Sequence, residues 1–291
     1  MFSSFRSKVF TCISAFFLFV FLLAGRISVA QTSFAIMGDA GEASTELDGL
    51  KSSVTKAGIK NLIMPGDNLY SGTYSQVWDS WKKGGFDFNV TAIGNHNSSY
   101  AAEVNYFNLP GEYFSVVKGG SRFIVLNSDN TGNIQDQFNF LNKEILAAKE
   151  KLIFLVYHHP TFTMTPKHKW TEKKSFQLKM RDFLKQNGQK ISALILGHDH
   201  ITTFAEFGTV PVILAGAGRE VRPAKAVSFP EDGFQIETRY LAPETQHFVR
   251  MDINAASDEA TLHVVRVSDN STVCTANLRQ NSIKLSSNCK P

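Results

Sequence analysis

The chain has 291 residues, of which 43% are hydrophobic and 19% are charged. This is an ordinary globular composition, with enough apolar residues for one large core or two small ones. Lys and Arg together number 30, and Asp and Glu number 26. Three of the basic residues and none of the acidic ones lie in the first thirty positions, so the rest of the chain is close to neutral. A main function in nucleic-acid binding is therefore not expected.

Residues 1–30 have the pattern of a secretory signal peptide. Two basic residues precede the apolar stretch Val9–Ala24, and small residues lead up to a cleavage point after Ala30. The alternative is a retained membrane anchor, but about 16 apolar residues are short for a span that needs roughly 20. We expect a secreted protein, located outside the cell, in a periplasm or in a lysosome-like compartment. No stable membrane anchor is expected after cleavage.

The predicted elements run in the order of an α/β domain. Apolar runs predict strands over 33–38, 61–65, 89–93, 113–118, 122–127, 151–157, 191–196, 203–207 and 210–214. Helical spacing of apolar residues predicts helices over 46–58, 74–83, 135–149 and 173–186. After about Pro243 the pattern changes to alternation, which predicts hairpin strands over 248–253, 261–267 and 272–278. Residues 31–291 therefore read as a single catalytic domain whose C-terminal strands complete a sheet.

Two cysteines remain after the predicted cleavage, Cys274 and Cys289. In an exported chain, a pair this close in sequence predicts one disulfide that clamps the tail, and two free thiols are the alternative. Glycosylation sequons begin at Asn89, Asn97 and Asn270. They carry glycans only if the host glycosylates the protein.

Side chains that can bind metals follow several predicted strands at the point where each strand ends. They are Asp39, Asp67, Tyr70, Asn95, His96, His158, His159, His198 and His200. Ligands of α/β folds bind at the carboxyl ends of strands, so this recurrence predicts a metal site. Carboxylate, imidazole, phenol and amide donors without a thiolate argue against a structural zinc site. The donors exceed what one ion needs, so two ions are expected, with Asp67 as the bridge between them.

Five short motifs occur in a fixed order along residues 34–219. They are Asp39-x-Gly41, Gly66-Asp67-Asn68-x-Tyr70, Gly94-Asn95-His96, Val156-x-x-His159 and Gly197-His198-x-His200. This set resembles the five blocks of the purple acid phosphatases, which belong to the calcineurin-like metallophosphoesterases. The chain is most similar to the small, mammalian-type members, the tartrate-resistant acid phosphatases. The resemblance implies a four-layer α-β-β-α sandwich of two mixed sheets flanked by helices.

The resemblance also implies a ligand set and an activity. The first ion, Fe(III), would be held by Asp39, Asp67, Tyr70 and His200. The second ion, a divalent Fe(II), Zn or Mn, would be held by Asp67, Asn95, His159 and His198. His158 fits no ligand position of the family and is interpreted as a neighbour of the ligands or as a core residue. The implied activity is that of an acid phosphatase, which hydrolyses phosphate monoesters by direct attack of a metal-bound hydroxide.

Two further histidines are expected to act on the substrate. The resemblance makes His96 a donor to the phosphate and to the leaving group. His168 stands nine residues after His159, at the spacing of the other substrate-side histidine of the family. The alternative for His168 is a surface position in the basic stretch 167–169.

The chain departs from the family pattern in two places. Asn97 stands where the family has Asp or Glu, so it could orient His96 but could not stabilise its charge. The loop 128–134 is short, whereas the mammalian-type enzymes carry a longer, protease-sensitive loop in this region. We therefore expect no activation by cleavage of this loop.

Two other functions remain open at this stage. One is a phosphodiesterase or pyrophosphatase that uses the same metals, although Gly41 and Tyr70 favour the purple subgroup. The other is a catalytically idle, iron-binding extracellular protein, against which the complete ligand set argues. Expected partners are small phosphorylated substrates or phosphoproteins, and the protein is expected to be a monomer. Four side chains are candidates for an anion-attracting rim: Lys167, Lys169, Trp170 and Arg219.

Overall fold

A computed structural model describes residues 31–254 and 258–289 of the chain. The predicted signal peptide, residues 1–30, lies outside the described residues. Within the described ranges, none of the helices has the length and apolarity that crossing a membrane requires.

Fifteen strands and five α-helices make up the described part of the chain. The strands are β1 (Thr32–Ile36), β2 (Asn61–Met64), β3 (Asp87–Thr91), β4 (Phe114–Lys118), β5 (Ser121–Val125), β6 (Ile153–Val156), β7 (Ala193–Leu196), β8 (Thr202–Phe207), β9 (Val210–Ala215), β10 (Ser228–Glu231), β11 (Phe234–Leu241), β12 (His247–Asn254), β13 (Glu259–Arg266), β14 (Thr272–Arg279) and β15 (Ser282–Leu285). The helices are α1 (Thr45–Lys56), α2 (Tyr74–Lys83), α3 (Tyr100–Phe107), α4 (Ile134–Ala147) and α5 (Lys174–Asn187). Short 3₁₀ helices lie at Trp170–Lys173 and Gly188–Lys190.

The strands form two mixed sheets. The first sheet has the order β15-β14-β13-β12-β1-β2-β3, in which β1, β2 and β3 are parallel and the other neighbours are antiparallel. The second sheet has the order β10-β11-β8-β9-β7-β6-β5-β4, in which β5, β6, β7 and β9 are parallel. The predicted C-terminal hairpin strands are confirmed as β12, β13 and β14, which extend the first sheet.

Successive side chains of the strands in the second sheet point to opposite faces, and each face belongs to a different hydrophobic core. Phe123 in β5 belongs to the core between the sheets, where its ring centroid lies 5.3 Å from that of Phe34 in β1. Its neighbour Ile124 belongs to a second core, together with Leu141 of α4 and Met180 of α5. The first core also takes in buried residues of α1, α2 and α3. The predicted four-layer arrangement of helices around two mixed sheets is thus confirmed.

Four elements were not predicted from the sequence: α3, β10, β11 and β15. The strands β10 and β11 form a hairpin whose turn, Asp232-Gly233, has positive φ at both residues. An Asp-Gly pair with this backbone is a strong hairpin signal, and it was available in the sequence. Helix α3 is only eight residues long and buries two side chains, Glu103 and Phe107, so its apolar periodicity is weak.

The predicted disulfide between Cys274 and Cys289 is present. It joins β14 to the segment that follows β15, near the edge of the first sheet. The tail is therefore covalently fixed to the sheet that carries three of the predicted metal-binding segments.

Candidate functional site

The candidate ligands lie at the carboxyl ends of five strands that face one another across the two sheets. In the first sheet these strands are β1, β2 and β3, which are parallel neighbours. In the second sheet they are β6 and β7, which are also parallel neighbours. Because parallel strands end at the same edge of a sheet, the five loops that follow them converge.

Three of the candidate ligands have left-handed backbone conformations. The φ angles are 56° for Asp39, 56° for Asp67 and 73° for His198. Non-glycine residues rarely adopt this region, and when they do they cluster at functional sites. The turns also fix the carboxylates: the His198 amide donates to Asp39 Oδ2 at 2.8 Å, and the His96 amide donates to Asp67 Oδ1 at 2.8 Å.

The glycines of the motifs leave space for the ligands. A Cβ atom on Gly94 would lie 2.2 Å from Asp67 Oδ1. Gly66 has a φ of +99°, and a Cβ atom there would lie 2.6 Å from His158 Nδ1. Any other residue at these two positions would displace a candidate ligand.

A first group of donor atoms surrounds the hydroxyl of Tyr70. This oxygen lies 3.2 Å from Asp39 Oδ1, 3.0 Å from Asp67 Oδ2 and 3.0 Å from His200 Nε2. His200 Nε2 in turn lies 3.5 Å from Asp39 Oδ1. The predicted ligands of the first ion are therefore together, with their donor atoms facing one another.

A second group of donor atoms surrounds His158 Nε2. This nitrogen lies 3.1 Å from Asp67 Oδ1, 3.2 Å from Asn95 Oδ1 and 3.2 Å from His198 Nδ1. Asp67 thus contributes its Oδ2 atom to the first group and its Oδ1 atom to the second. This is the placement expected of a carboxylate that bridges two metal ions.

The two adjacent histidines after β6 have different surroundings. His158 Nδ1 lies 2.8 Å from the carbonyl oxygen of Pro65, to which it can only donate, so the lone pair of the neutral ring is on Nε2 within the second group. His159 Nδ1 lies 2.9 Å from Ser128 Oγ. The His159 ring is next to the second group, with its centroid 4.5 Å from that of His198.

The motif spacing predicts His159 as the metal ligand, and His158 as a neighbour of the ligands or a core residue. In the structure, one ring nitrogen from each of His158, His159 and His198 lies within 4.8 Å of the others, and His158 is the histidine in contact with Asp67. In the sequence, two adjacent histidines stand between β6 and Pro160, and either of them could be the metal ligand at this strand end.

The electrostatics of both groups suit metal ions. Burial raises the pKa of Asp39 well above its usual value. Burial also acts to raise the pKa of Asp67, but the charge and hydrogen bond of His158 outweigh it and hold that pKa well below the usual range. Burial lowers the pKa of His198 to about 2 and that of His200 to about 4, so both rings are neutral and have lone pairs to offer. Oxygen and neutral imidazole donors fit Fe, Zn or Mn.

In the absence of a metal, the charge of His158 balances the buried carboxylates. Burial acts to lower the pKa of His158, but Asp67 outweighs it through charge and a hydrogen bond and raises the pKa to about 9. Opposite charge at this position therefore stabilises the site, and a cation could replace the proton.

A cavity of about 170 Å³ opens over the two donor groups. It is lined by Asp67, Tyr70, Asn95, His96, His168, His198, His200, Arg219 and Arg222. Both predicted substrate-side histidines are thus in its wall: the His96 ring lies 4.4 Å from the Tyr70 ring, and the His168 ring lies 4.1 Å from the His198 ring.

The cations at the cavity differ from those predicted. Of the four predicted rim residues, Arg219 lines the cavity, and its guanidinium lies 4.8 Å from the centre of the Tyr70 ring. Trp170 stacks instead on the buried guanidinium of Arg181 at 3.9 Å. Arg222, which sequence reasoning missed, lines the cavity and donates from Nη1 to His168 Nε2 at 2.7 Å.

A buried polar network supports the site from behind. Asn68 Nδ2 donates to Glu103 Oε1 at 2.6 Å and to the carbonyl of Ala92 at 2.9 Å. Tyr74 donates to the other oxygen of Glu103 at 2.9 Å. Asn97, at the position where the family pattern has an acid, donates to the carbonyl of Gly94 at 2.7 Å and so stabilises the turn that contains Asn95 and His96.

No family model matches the chain, and no curated protein matches it. Solved structures do match. The protein GAP50, described as the anchor in the inner membrane complex of Plasmodium, aligns with a TM-score of 0.67 at 14% identity, over 86% of this chain and 89% of that chain. PhoD aligns with a TM-score of 0.57 at 11% identity, over 88% of this chain and 72% of that chain.

The purple acid phosphatase PPD1 from yellow lupin seeds also aligns. Its TM-score is 0.61 at 16% identity, over 84% of this chain and 52% of that chain. The chain therefore spans about half the length of the plant enzyme. At these identities the likeness establishes a shared fold. The chain has the two-sheet α/β fold of these structures, as its motifs implied.

Proposed function

We propose that this protein is a phosphate-ester hydrolase that uses two metal ions, of the purple acid phosphatase type. The observation that carries the proposal is the position of Asp67. Its two carboxylate oxygens belong to two different groups of converging donor atoms, under one cavity. A pair of metal ions bridged in this way is a recurring arrangement for displacement at phosphorus.

The first donor group favours Fe(III), because a phenol oxygen and two carboxylates are hard donors. Its ligands would be Asp39, Asp67, Tyr70 and His200. The second ion would be a divalent Fe(II), Zn or Mn. Its ligands would be Asp67, Asn95, His158 and His198, with His158 in the place first predicted for His159.

The bound metal ions would supply the Lewis acid that polarises the phosphate and activates the attacking water. The chain supplies the groups around them. Arg222 and Arg219 bring positive charge to the cavity wall, where they would attract and orient the phosphate. His96 is exposed at the cavity and would hold the proton that the leaving group requires.

The choice between the two adjacent histidines can be tested with a matched pair of variants. His158→Asn should lose the divalent ion, because it removes the nitrogen at the centre of the second donor group. His159→Asn should retain it, since the other donors of that group do not depend on this ring. Metal analysis of both purified variants checks this. Loss of the divalent ion in His159→Asn, with retention in His158→Asn, would restore the assignment made from the motif.

The similarity to GAP50 supports a second candidate, a protein that uses this fold for attachment without hydrolysis. GAP50 is described as an anchor, and its structure aligns over most of both chains. The complete set of donor atoms in the present chain favours the enzyme.

Hydrolysis assays distinguish these candidates. The protein, loaded with iron and a divalent ion, should hydrolyse an aryl phosphate monoester faster than a bis-aryl diester between acid and neutral pH. A faster rate on the diester would favour a phosphodiesterase. No hydrolysis of either substrate by a protein that contains both metals would favour the attachment or iron-binding role.

The cellular context of this activity is also a proposal. We infer that the enzyme is secreted, acts as a monomer, and takes small phosphorylated molecules or phosphoproteins as substrates. The pattern of residues 1–30 supports secretion. N-terminal sequencing of protein recovered from the producing cells checks it: the mature chain should begin at Gln31, and a chain that begins at Met1 would contradict cleavage.

A further inference from the structure

We propose that Glu172 is a positioning residue that couples the second metal site to the substrate side of the cavity. Its carboxylate bridges two histidines. Glu172 Oε2 lies 2.9 Å from His198 Nε2, and Glu172 Oε1 lies 3.4 Å from His168 Nδ1. The inference rests on the proposed function, because His198 is a proposed ligand of the divalent ion.

The contact with His198 determines which nitrogen of that ring is free for a metal. His198 Nδ1 faces the second donor group, 3.2 Å from His158 Nε2. His198 Nε2 faces the Glu172 carboxylate, which can only accept a hydrogen bond when it is ionised. The proton of the neutral ring must therefore be on Nε2, and the lone pair on Nδ1. A carboxylate in this place fixes the tautomer and the rotation of a metal-binding histidine.

The contacts of His168 fix the tautomer of that ring in the same way. Arg222 Nη1 donates to His168 Nε2 at 2.7 Å, so the lone pair of the neutral ring is on Nε2 and its proton is on Nδ1, which faces Glu172. Arg222 Nη2 in turn donates to Glu220 Oε2 at 3.1 Å. One carboxylate thus connects a proposed metal ligand with a histidine and an arginine of the cavity wall.

The surrounding segment holds Glu172 in place. Glu172 lies in the 3₁₀ helix Trp170–Lys173, and its Oε1 atom also accepts from the Lys169 amide at 3.0 Å. Trp170, two residues before it, stacks on the buried Arg181. Since the Glu172 side chain is 39% exposed, a substitution there leaves the core intact.

The sequence contains one sign of this arrangement. His168 and Glu172 are four residues apart, a separation that allows two side chains to meet on one face of a helical turn. Nothing in the sequence relates Glu172 to His198, since that contact depends on how the loop after β6 folds over the end of β7.

The test is the retention of metal by the loaded enzyme. Parent and Glu172→Gln proteins are loaded with Fe(III) and Co(II) and dialysed against a graded series of chelator concentrations. Glu172→Gln should lose Co(II) at chelator concentrations that correspond to a roughly 10- to 100-fold weaker site, while its iron is retained as in the parent. The visible absorption of the remaining Co(II) should also change, because the histidine orientation differs.

A matched control is Asp182→Asn, which removes an exposed carboxylate from the helix that follows the same segment. It should retain both metals as the parent does. Thermal unfolding of all three metal-free proteins should agree, which separates a positioning role from a general loss of stability.

Three results would overturn the inference. If Glu172→Gln retains Co(II) with unchanged affinity and spectrum, the carboxylate does not position His198. If the parent binds a third metal ion that the variant lacks, Glu172 is a ligand and not a positioning residue. If the parent binds no metal at all, the proposed function fails and the inference fails with it, whereas the first two results leave the proposed function in place.

Discussion

Tyr70 is the residue that distinguishes the proposed iron site from a general two-metal site. Its hydroxyl is within 3.2 Å of Asp39, Asp67 and His200. Burial and the two neighbouring carboxylates raise the pKa of this phenol far above its ordinary value in the metal-free protein. A phenolate at this position therefore requires a bound cation to stabilise it.

The variant Tyr70→Phe tests the role of this phenol. It should still bind iron through Asp39, Asp67 and His200, but it should lose or shift the purple absorption that a phenolate gives on Fe(III). The Phe ring retains the contact with the His96 ring, so the cavity wall should persist. The measurement is a visible spectrum with metal analysis of the same sample, and an unchanged spectrum would exclude the phenolate from the site.

At three of the predicted ligands, the local backbone decides where the side chain lies. Asp39, Asp67 and His198 follow the ends of strands, and their left-handed backbone directs Asp39 to the first donor group, His198 to the second and Asp67 to both. The choice between His158 and His159 could not be made in this way, because consecutive residues of a turn point in different directions. The roles of Glu172 and Arg222 depend on loops that meet only in three dimensions.

Helix α3 contributes a buried carboxylate to the support of the site. Glu103 is fully buried, and burial raises its pKa to about 7 from an ordinary value of 4.5. An acid with a raised pKa binds more protons in the folded state than in the unfolded state. The contribution of Glu103 to the unfolding free energy is therefore largest below about pH 4.5. It falls as the pH rises and levels off above about pH 7.

The variant Glu103→Gln should remove this pH dependence. The Gln side chain can still accept from Asn68 and donate to Tyr74. Relative to the variant, the parent should lose up to about 3 kcal/mol of unfolding free energy between pH 5 and pH 8. Urea denaturation of both metal-free proteins over that range measures the difference. The variant Glu244→Gln, at an exposed position, serves as the control. If the unfolding free energies of the parent and Glu103→Gln differ by the same amount at every pH, the raised pKa of Glu103 is contradicted.

The loop 128–134 is held by its own hydrogen bonds. Asn127 Oδ1 accepts from the amides of Asp129 and Asn130 at 3.0 and 3.1 Å, and Asn130 Oδ1 accepts from the amide of Gly132 at 3.0 Å. In such a short turn, nearby side chains accept hydrogen bonds from the backbone amides. It does not line the cavity over the donor groups.

Limited proteolysis within this loop should therefore not raise the rate of phosphate-ester hydrolysis. Turnover of an aryl phosphate is measured before and after cleavage, with intact mass confirming the cut. A large rise in turnover after cleavage within 128–134 would show that the loop restrains the site.

At the level of elements, the sequence predicted most of what builds the site. The apolar runs before Asp39, Asp67 and His198 identified the strands, because a parallel strand that is buried on both faces consists of consecutive apolar residues. The elements that were missed, such as α3 and the β10–β11 hairpin, bury few side chains. Their formation depends on caps, turns and pairing partners that apolar periodicity does not record.

At the scale of the whole molecule, the disulfide stabilises the edge of the first sheet. Cys274 and Cys289 close a loop with a sequence separation of 15. A cross-link of this length contributes about 3 kcal/mol by restricting the unfolded chain. In the sheet, β14 is separated from β1 by β13 and β12, so the metal-binding segments do not depend on the bond directly.

The variant Cys289→Ala should lower the unfolding free energy by about 3 kcal/mol and leave the rate of phosphate-ester hydrolysis unchanged. It retains the buried Cys274, whereas the double variant with Cys274→Ala should lose additional packing in the core. Denaturant unfolding and kinetic assays of both proteins separate the two contributions. Loss of activity in folded Cys289→Ala would link the tail to the site.

We propose that one molecule holds two metal ions that share Asp67, and that one of them is Fe(III) bound by Tyr70. The most direct test of this claim is metal analysis of the purified protein together with its visible spectrum. We predict two metal ions per chain, at least one of them iron, and a purple absorption band. A protein that reproducibly binds a single ion, or binds two ions without the band when iron is present, would contradict the claim.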